Sequence, residues 1–453
     1  MNRIAVGRLV HTPEQLASQR TARPAERKLK QLIWLYFWLL LFEGALRKWV
    51  LPSLSTPLLI IRDPVALGII WMYITNGYRF WNLFTLLVVC SSLVSFVTTI
   101  GAGHGNFLVA LFGIRIYAIH FPLIFIIGEV FDREDVEKIG HAIMYLIIPV
   151  TILVVLQFYS PQSAWVNRGV GDDLSGAGFS GALGFFRPSG LFSFTNGNTL
   201  LYGLAAAYMF YFWRNPRRFS KAVLFVATAA IFITIPLSIS RSYAFQMVIC
   251  FLFVAFASIS DVKSTFRFMG ILILLPLLIF TVAQVDFVAT GIDAMSQRFE
   301  NASQSEGGIE GTLVDRFLGG LINPIFNPTK GPLFGYGLGM GTNAGSMMLT
   351  GEVSYLISEG ETGRVIGEQG KFIGLINIIS RLTLGLIMVL ISIKTLFRGN
   401  ALPWMLLSFS FLGMITGLWG QPTSLGFSVF AMGLTLAAVR NPISKLVTKH
   451  VPR

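Results

Sequence analysis

Along the chain, apolar runs alternate with short breaks rich in glycine, proline or charge. A helix needs about 20 mainly apolar residues to cross the hydrocarbon core of a bilayer. Twelve runs approach or reach that length: 31–47, 57–75, 83–100, 106–130, 139–158, 194–213, 219–239, 243–260, 266–286, 372–397, 401–419 and 423–439. The pattern predicts an all-α polytopic membrane protein with about 12 transmembrane helices. Pro64, Pro122, Pro149, Pro236 and Pro276 fall inside or near the ends of these runs. Membrane helices tolerate such prolines when neighbours satisfy the freed carbonyls. No internal repeat at a fixed period is found.

Composition agrees with the pattern. Only 13% of the 453 residues are charged and 54% are hydrophobic, with a mean hydropathy of +0.67. Soluble domains carry about 25% charged residues. A disordered chain is excluded, and a water-soluble multidomain enzyme is disfavoured. Cys90 and Cys250 both lie in apolar runs and read as small core hydrophobes. Two such residues build neither a disulfide framework nor a metal cluster. No metal or cofactor is expected.

The formal net charge of +13 gains its meaning from where the charges sit. Arg3, Arg8, Arg20, Arg23, Arg27, Lys28 and Lys30 crowd the N-terminal tail, with no cleavable signal pattern after them. Arg214, Arg217, Arg218 and Lys221 share one short loop, and Arg440, Lys445, Lys449 and Arg453 close the chain. With an even number of spans, all these groups fall on one side, which the positive-inside rule makes the cytoplasm. The basicity is therefore a topology signal, and no nucleic-acid partner is expected. The expected layout is a cytoplasmic tail at 1–30, helices one to nine over 31–286 with a periplasmic loop at 159–193, a large periplasmic loop at 287–371, helices ten to twelve over 372–439, and a cytoplasmic tail at 440–453. The large loop carries nine acids and five bases. Its apolar stretches Phe317–Phe326, Met347–Leu349 and Tyr355–Ile357 predict short helices at the membrane surface.

Several ionisable groups fall where lipid would penalise them, and such groups are functional candidates. They are Glu43, Arg47, Lys48, Arg62, Asp63, Arg115, His120, Arg187, Arg241, Arg364, Lys371 and Arg381. Snorkelling and the pairs Glu43 with Arg47 and Arg62 with Asp63 account for individual members. Six or more arginines from separate spans, all toward the outer side, point instead to a pocket for an anion. A guanidinium fork binds phosphate through two parallel hydrogen bonds. The substrate expected is lipid-linked and anionic. Two segments stand out. Phe186–Asn198 runs Phe-Arg-Pro-Ser-Gly-Leu-Phe-Ser-Phe-Thr-Asn-Gly-Asn into a helix start, where backbone donors favour anions. Gly335–Asn343 holds a G-x-G-x-x pattern, but no strand precedes it, so it reads as a flexible or tightly turned loop near a site and not as a nucleotide fingerprint.

These features resemble the O-antigen ligase and O-antigen polymerase family of bacterial polysaccharide enzymes. The layout of about twelve spans with a large loop between spans nine and ten is similar to theirs. Arg187-x-x-Gly190 running to Thr195-Asn196 resembles the family's Arg…Gly…Pro-Asn stretch, with Thr195 in place of proline. Ser240-Arg241-Ser242 resembles its Ser-Arg element. Gly335–Gly341 followed by Glu368-Gln369-Gly370 resembles its Gly-x-Gly and Glu-x-Gly elements. The resemblance covers roughly residues 140–440. Glu43–Trp49 is also similar to segments of uncharacterised relatives.

The resemblance implies a metal-independent GT-C glycosyltransferase in the bacterial inner membrane, with both termini cytoplasmic. Its donor would be a glycan on undecaprenyl pyrophosphate. Its acceptor would be a sugar hydroxyl on a second lipid-linked glycan or on lipid A core, and envelope polysaccharide assembly proteins are expected partners. Arg187, Arg241 and Arg364 would hold the pyrophosphate. Arg115 and Arg381 would line the pocket deeper in the membrane, with Arg62 and Asp63 beside it, and Asn196 would touch sugar or phosphate. Ligases of this group carry a histidine in the large loop. Here the five histidines are His11, His104, His120, His141 and His450, none of them in that loop. The base would then be Glu368, with Glu361 and Asp63 as alternatives. The rival reading is a transporter or flippase of lipid-linked sugars or organic anions. A third is an assembly subunit of an envelope complex.

Overall fold

A computed structural model of the protein describes residues 24–259, 286–306, 319–326 and 331–440. The predicted span 266–286, most of the basic N-terminal tail, the C-terminal Lys445, Lys449 and Arg453, and parts of the large loop lie outside the described residues.

The fold is all-α apart from one hairpin. The helices used below are α1 (Pro24–Ala45), α2 (Arg62–Thr75), α3 (Leu83–Ala102), α4 (Phe107–Arg115), α5 (Leu123–Val130), α6 (Arg133–Tyr159), α7 (Thr195–Arg214), α8 (Lys221–Leu237), α9 (Arg241–Ser258), α10 (Asp286–Glu306), α11 (Gly319–Phe326), α12 (Asn343–Thr350), α13 (Glu361–Phe397), α14 (Leu402–Ile415) and α15 (Pro422–Val439). Single π-turns at Leu46–Val50 and Ile116–His120 extend α1 and join α4 to α5. Among the described residues, seven helices are long and apolar enough to cross a membrane. An eighth crossing results if Pro52–Leu58 and α2, bent by 40° at their junction, form one span.

The count of twelve from the apolar pattern is thus not reached among the described residues. Helix α14 has 14 residues, about 21 Å of helix at 1.5 Å per residue, against about 30 Å of hydrocarbon. Helix α8, with 17 residues, is also short. Helix α7 has the length, but it is a core helix. Its side chains are buried without a break from Leu201 to Phe212. A helix apolar all round belongs at the centre of a bundle. Three tyrosines there hide their rings and still satisfy their hydroxyls. Tyr202 meets Thr151 Oγ1 at 2.6 Å, Tyr208 donates to the Val136 carbonyl at 3.0 Å, and Tyr211 donates to Glu137 at 2.6 Å. Helices α14 and α15 are buried almost as fully. Helices α3 and α13 instead expose apolar residues such as Leu93, Val97, Leu386 and Leu390, as lipid-facing helices do.

Two irregularities position the candidate site. The first is the hairpin of β1 (Phe179–Ala182) and β2 (Phe185–Arg187), which lies within the 159–193 loop and which the sequence pattern did not predict. Its two turn residues, Leu183 and Gly184, both have positive φ (52° and 79°), the twist a two-residue hairpin favours. The second is a break inside α13 at Gly370, with φ 75° and ψ 166°. The Gly335–Gly341 stretch packs into this break. Tyr336 and Gly337 donate their amides to the carbonyls of Gly367 (2.7 Å) and Glu368 (3.0 Å). A side chain at Gly370 would overlap the Leu333 carbonyl.

Gly370→Ala is therefore expected to cost at least about 1–3 kcal/mol, the usual range for a backbone forced out of its allowed regions. The check is thermal unfolding of the detergent-purified protein. A melting temperature equal to wild type would contradict this account of the break.

Candidate functional site

The segment 187–198 connects β2 to α7, and the end of α1 holds it in place. Gly44 lies directly against the Phe192–Ser193 backbone, where no side chain fits. Arg47 donates to Ser193 Oγ at 3.1 Å and to the Ser55 carbonyl at 2.7 Å. The buried Lys48 donates to Ser189 Oγ at 3.0 Å and to the Gly190 carbonyl at 2.8 Å. Gln157 holds Gly190 from the other side, accepting from its amide at 2.7 Å and donating to its carbonyl at 3.1 Å. Gly190 has φ +57°, and a Cβ there would come 2.6 Å from Asn198 Oδ1. The Glu43–Trp49 segment, which sequence alone left without chemistry, thus clamps the segment that follows Arg187.

Arg187 ends β2 and faces two other arginines. Arg241 opens α9, and Arg298 sits on α10. Helix α10 is fixed there by Gly291 against Leu237 and by an edge-on contact between the Phe299 and Phe245 rings, centroids 6.2 Å apart. Burial, then repulsion from Arg298 and Arg241, pushes the Arg187 guanidinium down to about 10. Its Nη2 donates weakly to Ser240 Oγ at 3.5 Å, and Ser240 meets Thr199 of α7 at 3.3 Å. Arg187 Nε is buried with no protein partner, as are Thr195 Oγ1 and Asn198 Oδ1 on the first turn of α7. Among the described residues, no carboxylate pairs with Arg187 or Arg298. Three guanidiniums from three separate elements, beside the N-termini of α7 and α9, make a setting for a polyvalent anion.

The other predicted arginines are placed differently. Glu361 is a buried hub. It accepts from Arg364 at 2.8 and 3.0 Å, from Arg381 Nη1 at 2.6 Å, and from the Trp419 amide at 3.0 Å. Arg364 also pairs with Glu368 at 2.6 Å, and the second oxygen of Glu368 accepts from the Gly341 amide at 2.9 Å. Arg381 further donates to the Met414 carbonyl and stacks over the Trp419 ring, 3.9 Å from its centroid. Arg115 holds both oxygens of Asp63, at 2.8 and 3.0 Å. His120 bridges Asp63 (2.9 Å) and Tyr36 (2.9 Å). Arg62 pairs with Glu43 at 3.2 Å and donates to the Pro422 carbonyl at 2.6 Å.

Of the residues the sequence singled out, then, the structure brings Arg187 and Arg241 together. It places Arg364, Arg381 and Glu368 in neutralised pairs within α13, and Arg115, Arg62 and Asp63 in neutralised pairs that tie α1, α2 and α4 to one another. Asn196 donates to Gln421 at 3.3 Å and so links α7 to the turn before α15. Arg298 is the member that sequence reading did not assign. The only signal for it is a lone arginine on an amphipathic helix within an acidic loop, and that does not say where the helix docks. Among the described residues, no cluster of His, Cys, Asp and Glu has the geometry to hold a metal ion.

Inorganic pyrophosphate is expected to bind the purified protein. Arg187→Ala should weaken it about 10- to 100-fold, the worth of one charge-assisted hydrogen-bonding group. Arg187 is cationic below its shifted value, so binding should be present at neutral pH and fall as pH rises through about 10. Unchanged affinity in Arg187→Ala, measured by calorimetry, would refute the site. No family model, curated protein or solved structure matches the chain.

Proposed function

We propose that the protein is a glycan polymerase or ligase of the bacterial inner membrane. It would transfer a glycan from undecaprenyl pyrophosphate to a sugar hydroxyl during surface polysaccharide synthesis. The observation that carries this reading is the gathering of Arg187, Arg241 and Arg298 at the loop end of the bundle. Elsewhere the structure spends carboxylates on its buried arginines. Here, among the described residues, Arg187 and Arg298 have none.

The chemistry follows from the charge. When the bond between the anomeric carbon and the pyrophosphate oxygen breaks, negative charge grows on the leaving group. Preorganised donors aimed at that charge lower the barrier. Three guanidiniums supply them with no metal required. The positive-inside bias of the sequence supports a periplasmic position for this end of the bundle, where a flipped lipid-linked donor would present its head group. The apolar helix faces beside the site would accommodate a polyprenyl tail. Glu368, fully buried and held by Arg364 and Gly341, shapes the wall of the site in this reading and does not take the acceptor proton.

The test is deletion of the gene, complementation with single variants, and separation of surface glycan on gels. Arg187→Ala and Arg241→Ala are each expected to lose long chains by about 100-fold or more, as oxyanion-type donors do when removed. Lysine at either position should restore little, because it lacks the two-pronged fork. Wild-type chain lengths in correctly inserted Arg187→Ala protein would overturn the proposal. Movement of a labelled lipid-linked sugar across vesicles without elongation would favour transport instead.

A further inference from the structure

At the end of the bundle away from Arg187, an open groove of about 280 Å³ lies between the first turns of α1 and the last turn of α2. It is lined by Ala25, Lys28, Trp71, Met72, Thr75 and Asn76. Its depth in the membrane follows from α1. The continuous helical stretch Ala25–Val50 carries both Lys28 and Lys48. At 1.5 Å per residue these two lie about 30 Å apart, the thickness of the hydrocarbon core. Lys48 holds the segment that follows Arg187. The groove and the arginine site therefore open at opposite faces of the bilayer. The positive-inside bias of the sequence supports the cytoplasmic face for the groove. Its volume approaches the lower end of small-molecule sites, about 300–1,000 Å³.

The charge in the groove is uncompensated. Nearby cations at this end have carboxylate partners. Lys30 meets Asp135 at 2.5 Å, Asp132 at 3.2 Å and Glu26 at 3.7 Å. Arg133 and Arg218 share Glu137 at 3.0 and 2.6 Å. Lys28 is exposed, and among the described residues no carboxylate pairs with it. It stands near the start of α1, where free backbone amides add to the attraction for an anion. The last carbonyls of α2 would repel an anion, but they are occupied. Thr75 Oγ1 donates to the Trp71 carbonyl at 2.9 Å, Asn76 Nδ2 to the Met72 carbonyl at 2.6 Å, and the Gly77 amide to the Ile74 carbonyl at 3.0 Å. The Asn76 side-chain amide carries a second hydrogen for a ligand.

The groove also continues into an apolar surface. Leu67, Trp71 and Ile74, spaced four and three along α2, are all exposed and form one stripe that leads to it. Trp71 is 73% exposed, as suits an indole at the membrane–water interface and not one in a core. Basic pockets between spans on the cytoplasmic side are suited to anionic lipid head groups.

We infer that this groove binds the head group of an acidic phospholipid. The phosphate lies against Lys28 and Asn76, Trp71 packs at the level of the glycerol, and an acyl chain follows the stripe from Ile74 to Leu67. The lipid covers the join of α1 and α2, which are tied further along by the Glu43–Arg62 pair. Such a site depends on the membrane class of the protein and not on the proposed transfer chemistry.

The experiment titrates the full-length protein in detergent with phosphatidylglycerol, phosphatidylcholine and inorganic phosphate. Native mass spectrometry counts the lipid retained, and thermal unfolding without added lipid checks the fold of each variant. Phosphatidylglycerol is expected to be retained in preference to phosphatidylcholine. Lys28→Ala should weaken its retention about 5-fold, the worth of one basic residue near an anionic surface, and Lys28→Arg should preserve it. Lys28→Gln gives the same reading if Lys28→Ala lowers the melting temperature. Trp71→Ala should weaken retention of both phospholipids. Arg398→Ala, which removes an exposed cation at the C-terminal end of α13, should change nothing. Equal retention of the two phospholipids, or wild-type retention of phosphatidylglycerol in both Lys28→Ala and Lys28→Gln, would overturn the assignment. An equal loss in Arg398→Ala would reduce the effect to diffuse charge and overturn it too. Displacement of phosphatidylglycerol by an equal concentration of inorganic phosphate would make the groove a site for free anions and not for a lipid.

Discussion

A guanidinium inside an apolar bundle must find a counter-charge, and that requirement organises this protein. Removing a charge from water costs several kcal/mol unless an opposite charge and good hydrogen bonds meet it. Glu361 meets it for both Arg364 and Arg381 and draws in the Trp419 backbone as well. Asp63 meets it for Arg115, and Glu43 for Arg62. The Glu361 pairs brace α13 across its break at Gly370, while Asp63–Arg115 and Glu43–Arg62 join separate helices. Together they link α1, α2, α4, α13 and the turn between α14 and α15 into one polar layer near the loop end. Because these charges cancel, the guanidiniums without a carboxylate among the described residues are Arg187 and Arg298, which lie outside that layer.

The same layer holds the backbone that carries the candidate site. Close approach does the work that side chains cannot. Gly44 lets α1 touch the 192–193 backbone, and Gly113 lets α4 touch Leu338 and Gly339. The Gly335–Gly341 stretch is therefore no flexible loop. His104 and Thr99 grip Leu338 at its carbonyl and amide, and Glu368 grips Gly341. Glycines at 335, 337 and 339 take positive φ so that the chain can fold into this narrow space. The result is a tightly packed frame around the start of α13.

Some of this was legible in the sequence. Apolar runs marked most of the described helices, because hydrophobic length is a local property, but α1, α6 and α13 begin six or more residues before their runs and α10 was not marked. The run at 372–397 was found, but α13 begins at Glu361, since a glycine break does not end a helix that its neighbours hold together. The arginines were found as a set and could not be sorted. Arg364 carries its partners Glu361 and Glu368 three and four residues away, so that pair was available to a helical reading. Asp63 and Arg115 are 52 residues apart, and no local pattern joins them.

By itself, the sequence determined the all-α membrane class, the apolar segments and the unusual arginines, because each follows from the cost of placing a residue type in lipid or water. The tertiary structure decided which apolar runs lie in the core of the bundle and which face outward. Burial of α7 and the shortness of α14 depend on what surrounds them. It also decided which arginines are neutralised and which remain to meet a ligand. For Arg115, Arg62 and Arg381 that choice rests on counter-charges 19 to 52 residues away, brought in by the fold and not by order along the chain.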